Sequence, residues 1–225
     1  MQTPQQKHSR RPVTTRRTFL KTSALAVSAV AASRLVEPPF VHAAGAGDIR
    51  IGMIGCGGRC SGAAAQALSV GPDVKLVAMS DVFEMRMKEK RAYFQANAPA
   101  QFLATDETCT YGLEGYKTVI EASDAVLIAC ASKYHSFYAE EAVKAGKHVF
   151  VEKPHGIDPV GVRQMASACA LAKQKGLSLL SGLQSRFDKG YQETVQRIHD
   201  GMIGDVVAMQ SMFLRGPYQL EHRPE

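Results

Sequence analysis

The sequence predicts an α/β fold built on a doubly wound parallel sheet over residues 48–183 of the 225-residue chain. Three observations carry this. Short apolar runs alternate with amphipathic, helix-forming stretches. One of those runs, 124–132, is apolar from Ala125 to Ala131, as a strand covered on both faces must be. The first run ends in a glycine-rich turn that leads into a helix.

Ile49, Ile51, Met53 and Ile54 form the first run, β-rich and ending in glycines. An Ala-rich helix follows to about Ser69. "DVKLVAMSD" (73–81) is a second strand, and the charged stretch 83–96 a helix. "CTYG" (109–112) is a weak third strand, and "GYKTVIEAS" a short helix. "DAVLIACAS" (124–132) is the fourth strand. "HSFYAEEAVKAGK" is a helix ended by Gly146, a residue suited to the left-handed turn that closes a helix. "HVFVEKP" (148–154) is the fifth strand. Residues 158–176 form a helix with Pro159 in its first turn and Gly176 at its end. "LSLLSG" (177–182) is the sixth strand. Six strands joined by crossovers make the two mononucleotide-binding halves of a Rossmann sheet.

Charge separates this body from the segment before it. The chain holds 27 Lys/Arg and 21 Asp/Glu. Residues 1–43 contain seven of the basic residues and one acid, Glu37, which leaves 20 of each in the body. A neutral body has no basic stripe for phosphate contacts, so a nucleic-acid partner is not expected. The basic segment itself reads as an address. "TRRTFLK" (15–21) carries a twin arginine, and "TSALAVSAVAAS" (22–33) is apolar but shorter than the ~20 residues that span a bilayer. Small residues in "VHAAGAG" (41–47) offer cleavage after Ala43 or Ala44. The expectation for 1–43 is a twin-arginine signal peptide, export to the periplasm by the twin-arginine machinery, and membrane anchoring if the signal stays uncleaved.

The five cysteines, Cys56, Cys60, Cys109, Cys130 and Cys169, form no CxxC pair. They suggest neither a zinc site nor a disulfide framework, and no metal is expected. Cys130 and Cys169 lie in apolar patterns and are expected in the core.

Two motifs carry chemistry. The turn after the first strand reads Gly55-Cys56-Gly57-Gly58-Arg59-Cys60. Gly55 suits the tight turn, and Gly57 lets backbone approach a pyrophosphate at the helix N-terminus. Cys60 stands where the third glycine of GxGxxG belongs. Asp81 ends the second strand, 26 residues after Gly55. A carboxylate there accepts from both ribose hydroxyls and repels a 2′-phosphate, which favours NAD over NADP. The second motif is "AGKHVFVEKP". It places Lys153 at the carboxyl end of the fifth strand, where such sheets bind ligands and where an ammonium can assist proton transfer at a substrate hydroxyl.

"GCGGRCSG", the Asp81 strand end, "YHSFYAEEAVKAGKHVFVEKP" and "LQSRFDKGYQETVQRIHDGMIGDV" together resemble the Gfo/Idh/MocA oxidoreductases, over about residues 48–215. The resemblance is closest to exported members with a twin-arginine signal. It implies NAD(P)-dependent hydride transfer at a hydroxyl carbon of a sugar, polyol or related small molecule. By position, Gly55, Cys56, Gly57, Gly58, Arg59 and Cys60 would wrap the pyrophosphate, and Asp81 the adenosine ribose. Cys130-Ala131-Ser132, in place of the family's Thr-Pro-Asn or Thr-Pro-Asp, would lie along the nicotinamide half. His135, Glu152, Lys153 and Gln184 match further cofactor-site positions, and Lys153 also matches the catalytic lysine. A core or helix-terminal role for His135 is equally compatible with the sequence.

Beyond residue 183 the resemblance implies an α+β substrate domain, which would also mediate homo-oligomerisation. Residues 184–225 supply only its first helix (about 189–200, with Tyr191, Val195, Ile198 and His199 near one face) and one strand (206–214). The expectation is a chain truncated within that domain. The alternative is a short nucleotide-binding module that binds NAD without turnover.

Overall fold

The computed structural model describes residues 47–214 and 216. The twin-arginine segment and its cleavage site lie outside the described residues. Contacts divide the chain into two units, Met1–Gly47 and Asp48–Glu225.

The centre of the second unit is a six-stranded sheet of order β3-β2-β1-β4-β5-β6. The strands are β1 (Ile49–Ile54), β2 (Val74–Asp81), β3 (Cys109–Tyr111), β4 (Ala125–Ile128), β5 (His148–Val151) and β6 (Leu179–Ser181). Every neighbouring pair is parallel. The connecting helices are α1 (Gly58–Leu68), α2 (Glu84–Asn97), α3 (Tyr116–Ala122), α4 (His135–Lys144) and α5 (Pro159–Gln174), and α6 (Lys189–His199) comes after the sheet. Strand order reverses between β1 and β4. That switch point opens a crevice beyond the carboxyl ends of the strands.

Two cores result, one on each face. Ile51 and Met53 of β1 pack with Cys60, Ala64 and Leu68 of α1 and with Met87 and Phe94 of α2. Ile54 packs on the other face with Val119, Val126, Ile128, Tyr138, Val143 and Met165. Side chains alternate along a strand, so each strand feeds both cores. Gly52 faces the second core. A Cβ there would meet Ser123 Oγ and Val119 Cγ1 at 2.6 Å, so glycine lets α3 sit close to the sheet. Arg50 and Asp124 join the entrances of β1 and β4: Arg50 Nη2 lies 2.6 Å from Asp124 Oδ1, and Arg50 Nε and backbone N–H both donate to Oδ2 at 3.1 Å.

Local signals set the helix ends. Asp158 caps α5, accepting from the Gly161 N–H at 2.7 Å, with Pro159 next. Gly146 and Gly176 follow α4 and α5 with φ of 78° and 67°. Asp188 caps α6 through the Tyr191 N–H at 3.0 Å.

Three expectations change. The fourth and fifth strands end early, at Ile128 and Val151, because the chain leaves the sheet where the crevice begins. The sequence predicts a strand over 206–214, but these residues are exposed and pair with no strand among the described residues. An alternating sequence becomes a strand only when an edge accepts its hydrogen bonds. Cys169 is exposed and Cys130 half-buried, whereas Cys56, Cys60 and Cys109 are buried. The inward stripe of α5 is Met165, Ala168 and Ala172, and Cys169 lies outside it.

Candidate functional site at the carboxyl ends of the strands

The glycine turn is built by tight packing against β4. Gly55 has φ +100°, and a Cβ there would meet Ala129 O at 2.7 Å. Only glycine fits both demands. Its N–H donates to Ser80 O at 2.8 Å, fixing the turn to β2. Cys60 fits the third position: it is fully buried, its Sγ 3.6 Å from Leu127 O and 3.8 Å from Ile54 O. Burial pushes its thiol up to about 12, and Cys130 likewise. The Cys56 thiol also moves up, chiefly through burial. These thiols stay protonated at neutral pH, which removes nucleophilic thiolate chemistry from the turn.

Asp81 locks the turn in place. Its Oδ2 accepts from the Cys56 N–H at 2.6 Å, and its Oδ1 from the Phe83 N–H at 2.9 Å. The Cys56 N–H is therefore committed within the protein. At the start of α1, Gly57 is the N-cap and no side chain caps the helix. A Cβ at Gly57 or Gly58 would meet nothing within 4 Å, so the backbone there faces open space. An uncapped helix N-terminus with bare backbone accommodates an anionic group such as a pyrophosphate.

Beside the turn lies a cavity of about 330 Å³. Gly55, Gly57, Asp81, Phe83, Arg86 and Cys130 line it, and three tyrosines, Tyr116, Tyr134 and Tyr138, complete the wall. Tyr134 and Tyr138 stack at 5.7 Å, and Tyr116 tilts against Tyr138 at 4.8 Å. Burial pushes the Tyr138 phenol up to about 12, so it remains a neutral wall. A flat apolar wall next to a fixed carboxylate suits an aromatic base joined to a ribose.

The other expected residues lie elsewhere. Glu152 is 5% exposed, and its Oε1 accepts from Arg59 Nε at 2.6 Å. Arg59 thus reaches from the glycine turn across the β4 end to the β5 end. Gly182 makes room for this pair, since a Cβ there would meet Glu152 Oε1 at 2.5 Å. Lys153 is exposed just past β5, with a cis bond to Pro154. Gln184 and Arg59 line a second cavity of about 480 Å³ with Phe150, Phe187 and Tyr191. Ser132 is half-buried at the start of a 3₁₀ turn, Ser132–Tyr134.

His135 is 2% exposed, with Nδ1 2.8 Å from Pro154 O and Nε2 3.1 Å from Cys130 O. Both ring nitrogens face backbone carbonyls. His135 therefore ties the Lys153–Pro154 loop to the Cys130 loop. Among the described residues no group of three His, Cys, Asp or Glu side chains could hold a metal ion, and no helix is long and apolar enough to cross a membrane.

Sequence reasoning passed over Phe83, Arg86, the three tyrosines and Gly182. Arg86 lies five residues after Asp81, a spacing visible in the sequence. The tyrosines and Gly182 carried no signal, because their place comes from elements brought together across the crevice.

Comparison with known proteins agrees with this geometry. Residues 49–183 match the model of an oxidoreductase family, Gfo/Idh/MocA, described as an NAD-binding Rossmann fold. The chain is 32% identical over 163 residues to an inositol 2-dehydrogenase of Rhizobium meliloti, covering 70% of this chain and 43% of that protein. In structure it resembles scyllo-inositol dehydrogenase from Lactobacillus casei with bound NAD(H) and scyllo-inositol (TM-score 0.55, 26% identity, 70% of this chain and 43% of that one). It also resembles a 3-ketoreductase from Actinomadura kijaniata in complex with NADP (TM-score 0.53, 25% identity, 70% and 46%). The chain thus spans less than half the length of these relatives. The match over the whole sheet, with the glycine turn and Asp81 at its switch point, places this chain in the Gfo/Idh/MocA oxidoreductase family.

Proposed function

We propose that this chain binds a nicotinamide dinucleotide, with NAD the favoured form, and serves hydride transfer at a hydroxyl carbon of a sugar, polyol or related small molecule. One observation carries the reading: Asp81 is bonded to the glycine turn and faces a cavity of ribose and base size. The residues fit the group. Gly57 and Gly58 offer backbone to the pyrophosphate, Asp81 offers acceptors to the ribose diol, and the tyrosines offer a face to the adenine. When bound, the nicotinamide supplies the hydride acceptor or donor.

Lys153 performs the proton step in this reading. Its ammonium is exposed at the end of β5 and makes no hydrogen bond or ion pair among the described residues. It is free to hydrogen-bond a substrate hydroxyl and to stabilise the alkoxide as hydride leaves. Glu152, next to it in sequence, is occupied by Arg59. His135 fixes the loop beyond Lys153. The relatives support the substrate class, being named for inositols and a deoxysugar.

Thermal-shift titration with NAD tests the binding step: a midpoint that does not move sinks the reading. Lys153→Ala should leave NAD binding intact and lower hydride transfer about 10²–10⁴-fold, read as absorbance of reduced nicotinamide with candidate polyols. A second reading, a module that binds NAD without turnover, is favoured by one observation: no described carboxylate or imidazole is bonded to Lys153. Wild-type protein that binds NAD but reduces none with any polyol would support it. The twin arginine supports export to the periplasm. Replacing Arg16 and Arg17 by Lys should retain the protein in the cytoplasm, as cell fractionation would show.

A further inference from the structure

We propose that Ser181 and His155 form a strap that positions Lys153, closing the loop that carries the lysine onto the end of β6. This rests on the reading of Lys153 as the proton-transfer residue and adds the groups that fix its reach.

Lys153 combines a free head with a held stem. Its side chain is exposed and makes no hydrogen bond or ion pair among the described residues. The residues on either side of it are tied down. Before it, the Glu152 N–H donates to Ile128 O at 2.9 Å, and the Glu152 carboxylate accepts from Arg59. After it, Pro154 O lies 2.8 Å from His135 Nδ1, and His155 Nε2 lies 2.7 Å from Ser181 Oγ.

The last of these contacts closes a loop. Ser181 ends β6 and stands opposite Val151, the last residue of β5, in the parallel register. The Gly182 N–H donates to Val151 O at 2.8 Å. The chain thus leaves β5 beside Ser181 and turns through Glu152, Lys153 and Pro154. It then returns, through the His155 side chain, to the Ser181 hydroxyl. Both ends of the Lys153 loop rest on one residue of β6. A short loop fixed at both ends leaves its apex few conformations. A reacting group gains from being held in place before its substrate arrives.

The core does not account for this pair. His155 and Ser181 are half-buried and belong to neither apolar cluster. The strand pairing of β6 with β5 uses main-chain groups, which leaves the Ser181 hydroxyl to the imidazole. A hydroxyl donates to a bare imidazole nitrogen or accepts from a protonated one, so the bond holds in either tautomer. Alanine at 181 deletes the bond. Threonine keeps the hydroxyl and suits a strand.

Variants of the full chain, read by backbone amide relaxation in NMR and by hydride-transfer kinetics, test the strap. In wild-type protein the order parameters of Lys153 and His155 should lie near the rigid-backbone value of about 0.85; in Ser181→Ala and His155→Leu they should fall below about 0.6. With NAD and a polyol substrate, the same variants should lose about 10–100-fold in kcat, with KM and NAD affinity changed less than about threefold. Ser181→Thr should restore both readouts, and the double variant Ser181→Ala/His155→Leu should be no worse than either single change. If Ser181→Ala melts early, His155→Leu, which lies outside the sheet, serves alone. Order parameters that stay at the wild-type value overturn the proposal. A loop that loosens with kcat unchanged overturns it too, because the pair would then be a structural tie only. So does a Ser181→Thr variant as impaired as Ser181→Ala. Wild-type protein that binds no NAD, or binds it without turnover, fails the parent reading instead. The order parameters need neither ligand nor turnover, so they still decide whether the strap holds the loop.

Discussion

The two ends of the sheet behave differently. At the β1–β2 end, strands are buried on both faces, the glycine turn is locked by Asp81, and a walled cavity is already formed. At the β5–β6 end, Leu180 is exposed, Lys153 projects freely, and α6 buries none of its residues although Tyr191 and Val195 give it an apolar stripe. The comparison teaches that the end holding the glycine turn is packed and walled by the described residues themselves. The other end carries Lys153, the proposed proton-transfer residue, on a surface that the described residues leave open.

The sharpest way to break this contrast is to cut into each end. Leu76→Ala, at a fully buried position of β2, should cost about 2–5 kcal/mol, while Tyr191→Ala on α6 should stay within about 0.5 kcal/mol, both read by urea unfolding. Similar losses at the two sites would show that α6 is as well packed as the sheet. Two glycine substitutions separate fold from binding within the first end. Gly55→Ala should destabilise the protein by roughly 2 kcal/mol or more, because it combines positive φ with a backbone clash. Gly57→Ala, with φ −78° and open space around it, should melt near wild type yet bind NAD at least about tenfold more weakly.

Gly182→Ala probes the boundary. It should displace the Glu152 carboxylate from Arg59 and lower hydride transfer more than NAD affinity; loss of NAD binding alone would assign that pair to the cofactor instead. The smallest effect is expected at Arg50–Asp124, half-exposed at the opposite edge. The Arg50 hydrogen bond holds the Asp124 carboxyl below its ordinary value. A group lowered in the folded state stabilises above its unfolded pKa, and that stability disappears as pH falls through the folded one. Asp124→Asn should therefore cost no more than about 1 kcal/mol at neutral pH, and the gap to wild type should close in acid. A gap that persists in acid would point to packing instead of charge.

Much of the first end was legible in the sequence. The strand runs, the glycine turn and Asp81 are local signals at fixed spacing, and Asp158, Gly146 and Gly176 mark helix ends for local reasons. The second end was less legible. Residues 206–214 have a strand's alternation and no partner among the described residues, and Cys169 lies in an apolar stretch yet faces outward. His135 has the place of a site histidine in the sequence, but its two carbonyl partners come from loops 5 and 19 residues away.

The sequence by itself determined the order of the elements, the glycine turn and the charged residues that close the strands, because propensity, capping and periodicity act over a few neighbouring residues. Only the tertiary structure decided that Asp81 is bonded to the glycine turn, that Arg59 reaches Glu152 and that Arg86 shares a cavity with Asp81 and three tyrosines. Those contacts arise from the crossovers of a parallel sheet. Each crossover brings distant strand ends to one edge, where side-chain geometry, and not spacing along the chain, sets which groups meet.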